Sequence, residues 1–371
     1  AAPTPVSAYL HSATLVKVGV FALARFWPVL SGTELWFFLI SGAGMISFAL
    51  GAYNAFFQRD LKGILAYSTI SHLGLICALL GMNSQLALVV AIFHMLNHAT
   101  FKASLFMAAG IVDHETGTRD ITVLNGLRKA MPVTALLASV AAAAMAGVPL
   151  LNGFISKEMF FSETLFVGST GVSPYILPSI AIIGSILSVA YSYRFIVNVF
   201  FGEPTFEELP KKPHEPTKWM LVPSAILVFI CVIVGIFPQH TISPFLDIAV
   251  SGVFGINHGV EYDLGLWHGF NIPLLMSGLA LIGGVVFALI MKQSLMAHPD
   301  VVPFTERLDG RRIFDKILNY ADAFSYHAVA SISSERMQIQ LVVVVVLSVL
   351  AAAIPLVGQY DVPRLSLYEV N

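Results

Sequence analysis

Long runs of uncharged, apolar residues constrain this sequence more than any other feature. Hydrophobic residues make up 57% of the 371-residue chain and charged residues only 11%, whereas a soluble domain carries roughly 25% charged residues. About nine stretches reach the ~20 residues that a helix needs to cross a bilayer. They are residues 6–27, 34–57, 62–82, 85–112, 132–166, 175–200, 219–238, 271–292 and 338–357. The sequence therefore predicts an all-α, polytopic transmembrane helical bundle.

The stretch 132–166 is too long for one straight crossing and contains the motif GVPLLNG. Its proline, Pro149, removes a backbone donor and interrupts a helix, and such a break at membrane depth is tolerated only beside protein or a wet cavity. If this stretch crosses once, the loops on one side carry 14 of the 20 lysines and arginines, and the other side carries only Arg25 and Arg364. The positive-inside rule then predicts one discontinuous helix and a cytoplasmic N-terminus for this chain.

The C-terminal part of the chain has a different pattern. Residues 239–270 contain several glycines and acidic residues but no clean span. Residues 313–335 mix apolar and polar positions at helical spacing, without enough hydrophobicity to insert, which predicts an amphipathic helix on the membrane surface. We therefore expect a first region at 1–238 and a C-terminal transmembrane extension at 239–371.

Two features indicate what the chain is not. A net charge of −2 argues against a nucleic-acid partner, and Cys77 and Cys231 lie in apolar segments without metal-ligand spacing.

The first apolar stretch already carries His11 and Lys17 and begins without Met. Because a first helix that inserts unaided rarely carries a lysine near its middle, we expect the chain to be part of a larger protein.

The densest group of ionisable residues lies in the fourth stretch, where His94, His98 and Lys102 follow at i, i+4 and i+8. That spacing lines one helical face, along which imidazoles and an amine can pass protons. Burial favours the uncharged amine, and a nearby carboxylate reverses that preference, so a buried lysine can switch between holding and releasing a proton. Two alternatives remain: core histidines with Lys102 snorkelling to an interface, or a zinc or haem site at His94 and His98.

Further candidates lie in other stretches. Lys157 and Glu158 follow the break directly and point ~100° apart, so one can face the proton path and the other a cation or an exit; an interfacial ion pair is the alternative. His11 and Lys17 face directions about 120° apart, with Lys17 near mid-membrane.

Three further residues carry a weaker signal. His72 lies mid-span among hydroxyl residues, as either a relay member or a core histidine. Lys62 follows Asp60 at the start of a helix and is equally well explained as an interfacial charge. Arg194 is more typical of a structural anchor.

Four motifs stand in order over residues 2–158: APTPVSAYLHSATLVKVG, DLKGILAYSTISHLG, FHMLNHATFKASLFMAAG and GVPLLNGFISKE. They resemble the proton-translocating module shared by the antiporter-like subunits of respiratory complex I and Mrp-type antiporters. Further stretches up to about residue 276, among them IVDHETGTRDI and LWHGFNIPLLMS, resemble the large A subunit of Mrp antiporters.

The resemblance implies a module built of two inverted helix repeats, each with a broken helix, of which 1–238 is the C-terminal part. It assigns His11 and Lys17 to the family's eighth helix and the His94, His98 and Lys102 group to its eleventh. It assigns Lys157 and Glu158 to the broken twelfth helix. The family's glutamate and lysine of two earlier helices precede the first motif and are absent from this chain.

We therefore predict a membrane subunit of a monovalent cation/proton antiporter that exchanges Na+ for protons, a secondary transporter that needs no cofactor or metal. Its expected partners are other membrane subunits, and its expected location is the bacterial cytoplasmic membrane. One alternative is a proton-pumping subunit of complex I or of a membrane-bound hydrogenase. The other is an intramembrane haem or metal protein that uses His94 and His98. The sequence shows no phosphate loop, nucleotide fingerprint or Ser/His/Asp motif.

Overall fold

The computed structural model describes residues 4–170, 174–254, 260, 262–267, 269–297, 310–332 and 337–359. The chain forms two compact units, Ala1–Val302 and Pro303–Asn371. The predicted division after residue 238 stays a prediction.

The first unit consists of helices joined by short loops. The α-helices are α1 Thr4–Ser12, α2 Leu15–Leu30, α3 Glu34–Trp36, α4 Gly42–Phe57, α5 Leu61–Gly81, α6 Gln85–Thr116, α7 Pro132–Ala146, α8 Asn152–Thr170, α9 Ile176–Phe200, α10 Lys218–Ile236, α11 Pro238–Thr241, α12 Ser243–Phe254 and α13 Ile272–Ala297. A π-helical turn, Phe37–Ser41, joins α3 to α4, and two short 3-10 helices lie at Leu127–Lys129 and Phe206–Glu208.

The predicted fold class is confirmed. In the described residues, seven helical segments are long and apolar enough to cross a membrane, and each coincides with a predicted stretch. The two remaining predictions correspond to the interrupted pair α7–α8 and to a shorter apolar helix at Met337–Ala353. The region 239–270, predicted to lack a clean span, contains the short helices α11 and α12.

The helix interruption predicted at GVPLLNG lies between α7 and α8. Gly153 allows the two halves to approach closely, because a Cβ there would overlap the backbone carbonyl oxygen of Ala144. Helix α10 packs on the break in the same way, since a Cβ on Gly235 would overlap the carbonyl oxygen of Leu150. Leu150 itself has a φ of 69°, a left-handed conformation that costs a non-glycine residue about 1–2 kcal/mol.

A second interruption was not predicted. The first stretch, expected as one crossing, forms α1 and α2 separated at Ala13 and Thr14. His11 therefore lies in α1 and Lys17 in α2. The amide of Lys17 donates to the carbonyl of Thr14 at 3.0 Å, which starts the second helix.

The long helix α6 occupies the centre of the first unit, where it packs against α1, α5, α7, α8 and α10. Helix α6 is buried on most of its circumference, and most of the residues there are apolar or small, with polar exceptions such as His94, His98 and Lys102. Every polar side chain that α6 directs inward therefore meets another helix rather than lipid.

The second unit contains two described helices, α14 at Gly310–Ile332 and α15 at Met337–Gln359. Helix α14 is amphipathic and covers most of the predicted surface helix at 313–335; residues 333–335 lie outside the described residues. Helix α15 is strongly apolar.

Candidate functional site

A group of buried basic side chains converges inside the first unit, and none of them is more than 8% exposed. They are Lys17 of α2, His72 of α5, His94, His98 and Lys102 of α6, and Lys157 of α8. All three lysines act electrostatically on His94. The three amines are buried and contact neighbouring helices, rather than pointing outward on separate helix faces.

Two imidazoles form that centre. His72 Nδ1 and His94 Nε2 lie 2.9 Å apart, and the two rings are stacked with centroids 5.2 Å apart. His94 Nδ1 lies 2.9 Å from the hydroxyl of Ser156. The other nitrogen of His72, Nε2, lies 3.1 Å from the hydroxyl of Tyr191. Both nitrogens of each ring are thus engaged, as buried polar groups require.

Lys157 reaches the same centre through α9. Its Nζ donates to Ser188 Oγ at 3.1 Å, and Ser188 Oγ lies 3.0 Å from the hydroxyl of Tyr191. An unbroken series of hydrogen bonds therefore runs from Lys157 to His72. The series crosses from the broken helix α8 through α9 to α5.

The break also supplies Lys157 with a backbone partner. Its Nζ donates at 2.9 Å to the carbonyl of Ala146, the last residue of α7. Unpaired carbonyls at a helix C-terminus carry partial negative charge and stabilise a cation. The interruption thus provides an acceptor for an amine that is buried among apolar helices.

Lys102 approaches the centre from one turn away. Its Nζ donates to Ser68 Oγ at 2.6 Å and contacts Met145 Sδ at 3.2 Å. Ser68 precedes His72 by one turn of α5, so the amine is held beside the imidazole pair. The side chain of Lys102 is fully buried, which contradicts the alternative that it snorkels to an interface.

Lys17 is held by a carbonyl of the central helix. Its Nζ donates at 2.8 Å to the carbonyl of Met95, the residue after His94 in α6. The interruption between α1 and α2 precedes Lys17 by one turn. As with Lys157, a buried amine lies close to an interruption, but its carbonyl partner belongs to another helix.

His98 is fully buried, yet neither ring nitrogen has a hydrogen-bond partner among the described residues. Its ring centroid lies 5.4 Å from that of His72 and 5.6 Å from that of Phe101. A neutral imidazole has one donor and one acceptor, and leaving both unmade costs about 1–3 kcal/mol for each group. His98 is therefore the position in this site that has the strongest need for water.

Four further candidates do not belong to this group of six buried basic side chains. The half-buried ring of His11 stacks on Phe106 with centroids 5.3 Å apart. Lys62 pairs with Asp113 at 3.1 Å near the N-terminus of α5. Glu158 is buried beside Lys157 on α8. Arg194 donates to the backbone carbonyls of Phe56 and Gln58, as expected of an anchor.

Sequence reasoning missed the uncharged members of the site. Ser188 and Tyr191 stand at i and i+3 of α9, so they share a face, and Ser156 directly precedes Lys157. That spacing was visible, but hydroxyl residues are common in membrane helices. Glu163 was also missed; it is buried, interacts with Ser84, and its Oε2 has no hydrogen-bond partner in the described part of the chain.

Known proteins resemble this chain in sequence. The family described as NADH:quinone oxidoreductase/Mrp antiporter, TM, matches residues 1–188. The A/B subunit of a probable K(+)/H(+) antiporter of Rhizobium meliloti (strain 1021) is 52% identical, over 100% of this chain and 37% of that protein. The A subunit of the Na(+)/H(+) antiporter of Bacillus subtilis (strain 168) is 38% identical, over 88% of this chain and 43% of that protein. The chain thus spans less than half the length of either relative.

Two solved membrane complexes contain chains that are similar to this one in structure. The Mrp complex from Dietzia sp. DQ12-45-1b contains a chain that matches with a TM-score of 0.74 and 34% identity, over 97% of this chain and 38% of that one. The membrane-bound sulfane sulfur reductase, an archaeal respiratory membrane complex, matches with a TM-score of 0.58 and 26% identity, over 68% of this chain and 50% of that one. The family match covers most of the helices that carry the buried basic centre. The chain belongs to the NADH:quinone oxidoreductase/Mrp antiporter family of membrane proteins.

Proposed function

We propose that this chain is the part of the large A subunit of an Mrp-type antiporter that conducts protons in exchange for a monovalent cation, within a complex of several membrane subunits. The support is the family membership, together with relatives that are named as antiporter subunits. In this role the protein is a secondary transporter rather than an enzyme. Each proton that crosses with the membrane potential supplies about 2.3 kcal/mol per 100 mV.

One observation carries the proposal: an imidazole pair and a lysine amine are connected inside apolar helices by an unbroken series of hydrogen bonds through Ser188 and Tyr191. A charged side chain at the centre of a membrane helix costs at least ~2.5–3.5 kcal/mol on insertion scales. Several such residues close together therefore indicate a functional site. Imidazoles gain and lose protons near neutral pH, and desolvation makes an amine able to do so as well. Lys157, His72 and His94 are thus the core of the proposed relay.

The other predicted residues fit around this core. Lys17 bonds to the residue after His94, and Lys102 bonds one turn before His72. The ring nitrogens of His98, which have no hydrogen-bond partner among the described residues, offer a place where water can bridge. His11, which stacks on Phe106 of α6, and Glu158, which follows Lys157 in α8, are proposed as proton entry and exit groups. Lys62, in its ion pair with Asp113, is proposed as an interfacial charge.

Na+ is the cation that we propose, although the relatives' names differ, since one is named for K+ and another for Na+. Antiport assays with each cation as the chloride salt separate the two. We expect a proton response to Na+ at lower concentration than to K+; the reverse order would assign this chain to potassium.

A redox-driven proton pump is the second candidate function, because the family also includes NADH:quinone oxidoreductase subunits and one structural match is a respiratory complex. The same relay would then have different partners. Co-purification separates the two: iron–sulfur or flavin proteins bound to the purified complex would favour the pump.

A haem or metal site at His94 and His98 is less compatible with the geometry. Both ring nitrogens of His94 are engaged, one by His72 and one by Ser156, so metal ligation would break a buried hydrogen bond. A visible absorption spectrum and metal analysis of the purified protein test this alternative directly.

The decisive experiment replaces the buried amines in the full-length subunit. We expect Lys157→Ala and Lys17→Ala to abolish cation-dependent proton movement in everted vesicles while the complex still assembles. Lys129→Ala, at an exposed lysine, is the matched control and should leave antiport unchanged. Normal antiport in both buried variants, with assembly intact, would remove the amines from the relay and contradict the proposal.

The membrane orientation belongs to the same proposal. We propose that the segment that contains Lys212 lies on the cytoplasmic side and Asn83 on the outer side of the cytoplasmic membrane, because the basic residues concentrate in the loops on one side. Single cysteines at these two exposed positions, in a background without Cys77 and Cys231, should react with impermeant maleimide from opposite sides. Labelling of the 83 position only from the cytoplasm would reverse the orientation.

A further inference from the structure

The hydrogen bonds around Tyr191 have a direction that the geometry fixes. At one end of the series, the Lys157 ammonium can only donate. The series continues past His72 to His94 and Ser156. It ends at the carbonyl of Gly153, which lies 3.3 Å from Ser156 Oγ and can only accept. Every group between these ends carries one transferable hydrogen. All the hydrogen bonds are therefore satisfied together only when each group donates away from Lys157.

That order determines the tautomers. Ser188 donates to Tyr191, Tyr191 donates to His72 Nε2, and His72 donates through Nδ1–H to His94. His94 in turn donates through Nδ1–H to Ser156. In this arrangement His72 Nε2 is a bare acceptor, and the hydroxyl of Tyr191 points at it.

We infer that Tyr191, with Ser188, is the connector that carries a proton between Lys157 and His72. The inference rests on the proposed function and assigns to it a residue that carries no charge. Lys157 and His72 have no direct hydrogen bond between them in the described part of the chain, and each lies within 3.1 Å of one of the two hydroxyl groups. The connector is buried completely, so bulk water does not compete with it.

The transfer conserves atoms and charge. An N–H bond of the Lys157 ammonium breaks as Ser188 gains that proton, Ser188 passes its own hydrogen to Tyr191, and Tyr191 passes its own to His72 Nε2. Lys157 ends as a neutral amine and His72 as an imidazolium, while both hydroxyl groups are unchanged except that their hydrogens now point the other way. The reverse shift, or rotation of the two hydroxyls, resets the path.

The test uses Tyr191→Phe and Ser188→Ala in the full-length subunit within its complex, with Tyr193→Phe as the matched control. Tyr193 lies two residues further along α9 and packs against apolar side chains. Loss of a positioned proton carrier should lower antiport at least about tenfold in each connector variant. The control should keep the parental rate.

Two further measurements separate proton transfer from a structural role. The double variant Tyr191→Phe/Ser188→Ala should be no slower than Tyr191→Phe alone, because both residues interrupt one path. Incorporation of a fluorinated tyrosine at position 191 keeps the ring and the hydroxyl but changes the acidity of the hydroxyl. It should therefore change the antiport rate without changing assembly.

These variants distinguish failure of the connector inference from failure of the proposed function. If Lys157→Ala abolishes antiport but Tyr191→Phe retains the parental rate, the connector is wrong and the proposed relay stands. If Lys157→Ala itself retains antiport, the proposed function fails first. An unchanged rate with fluorinated tyrosine at position 191, combined with slow Tyr191→Phe, would make Tyr191 structural and overturn the inference.

Discussion

The two interrupted helices of this protein hold their lysines in different ways. Lys157 bonds to the carbonyl of Ala146, at the end of the other half of its own interrupted helix. Lys17 bonds to the carbonyl of Met95, on the neighbouring helix α6. Both lysines are buried, and both lie within about two turns of an interruption. Both of these buried amines therefore depend on backbone carbonyls.

The difference lies in what else each amine contacts. Lys157 also donates to a side-chain hydroxyl and is connected to the imidazole pair. The only hydrogen bond described for Lys17 goes to a carbonyl, which cannot accept and release a proton. The α7–α8 interruption thus positions an amine within a series of hydrogen bonds that reaches the imidazole pair. The α1–α2 interruption positions one that needs water, or a movement of its side chain, to reach His98.

The largest effect expected from this comparison concerns a glycine in each interrupted helix. Gly153→Ala places a methyl group on the carbonyl oxygen of Ala144, so we expect the protein to lose roughly 1–3 kcal/mol of stability or more. Gly19→Ala, two residues after Lys17, meets open space and should be neutral or stabilise α2 by up to ~1 kcal/mol. Thermal unfolding in detergent, followed by size-exclusion chromatography, measures both.

Equal melting temperatures for these two variants would mean that the α7–α8 contact is looser than the structure shows. Full antiport by Gly153→Ala would lead to the same conclusion. Lys157 depends on that contact for its carbonyl partner.

The two interruptions also show what the sequence could predict. The break near Pro149 was predicted because a proline and two glycines within seven residues strongly weaken a helix, in a stretch that is also too long for one straight crossing. The break at Ala13 and Thr14 was missed, because neither residue type prevents a helix. The apolar spans were predicted correctly, since the length and hydropathy of a span follow directly from the bilayer.

The candidate site also contains some residues that the sequence could predict and others that it could not. Charged and imidazole side chains at membrane depth were conspicuous because their burial is costly, so Lys157, Lys102 and the histidines could be named from the sequence. Tyr191 and Ser188 could not, since a hydroxyl in a membrane helix commonly bonds its own backbone. Only the packing of α9 against α5 and α8 shows that these two hydroxyls face a lysine and a histidine.

A smaller effect on stability is expected from substitutions at the N-termini of α7 and α2, the helices that lie beside the two interruptions. Glu215 accepts hydrogen bonds from the amides of Val133 and Thr134 and so caps α7, which leads to the break. Glu215→Ala should cost about 1 kcal/mol, because the amides at a helix N-terminus lose an anionic partner. Thr14, before α2, makes no side-chain cap bond, so Thr14→Ala should change stability much less.

Thermal unfolding of the purified subunit measures this pair of variants as well. Glu215→Gln serves as the control that keeps an acceptor but removes the charge, and it should fall between the parent and Glu215→Ala. A larger loss for Thr14→Ala than for Glu215→Ala would reverse the assignment of the better-capped helix.

The smallest effect concerns the backbone conformation of the break itself. Leu150 has a φ of 69°, and its side chain is 60% exposed, so little apolar burial depends on it. Leu150→Gly should relieve about 1–2 kcal/mol of left-handed strain, against roughly 0.5–1 kcal/mol of added chain entropy in the unfolded state. We therefore expect a melting temperature that is slightly higher or unchanged. Leu150→Val, whose branched side chain tolerates this conformation poorly, should lower it. If glycine destabilised the protein more than valine did, the left-handed turn would not be the conformation that connects α7 to α8, and the position of Lys157 beside Ala146 would need another explanation.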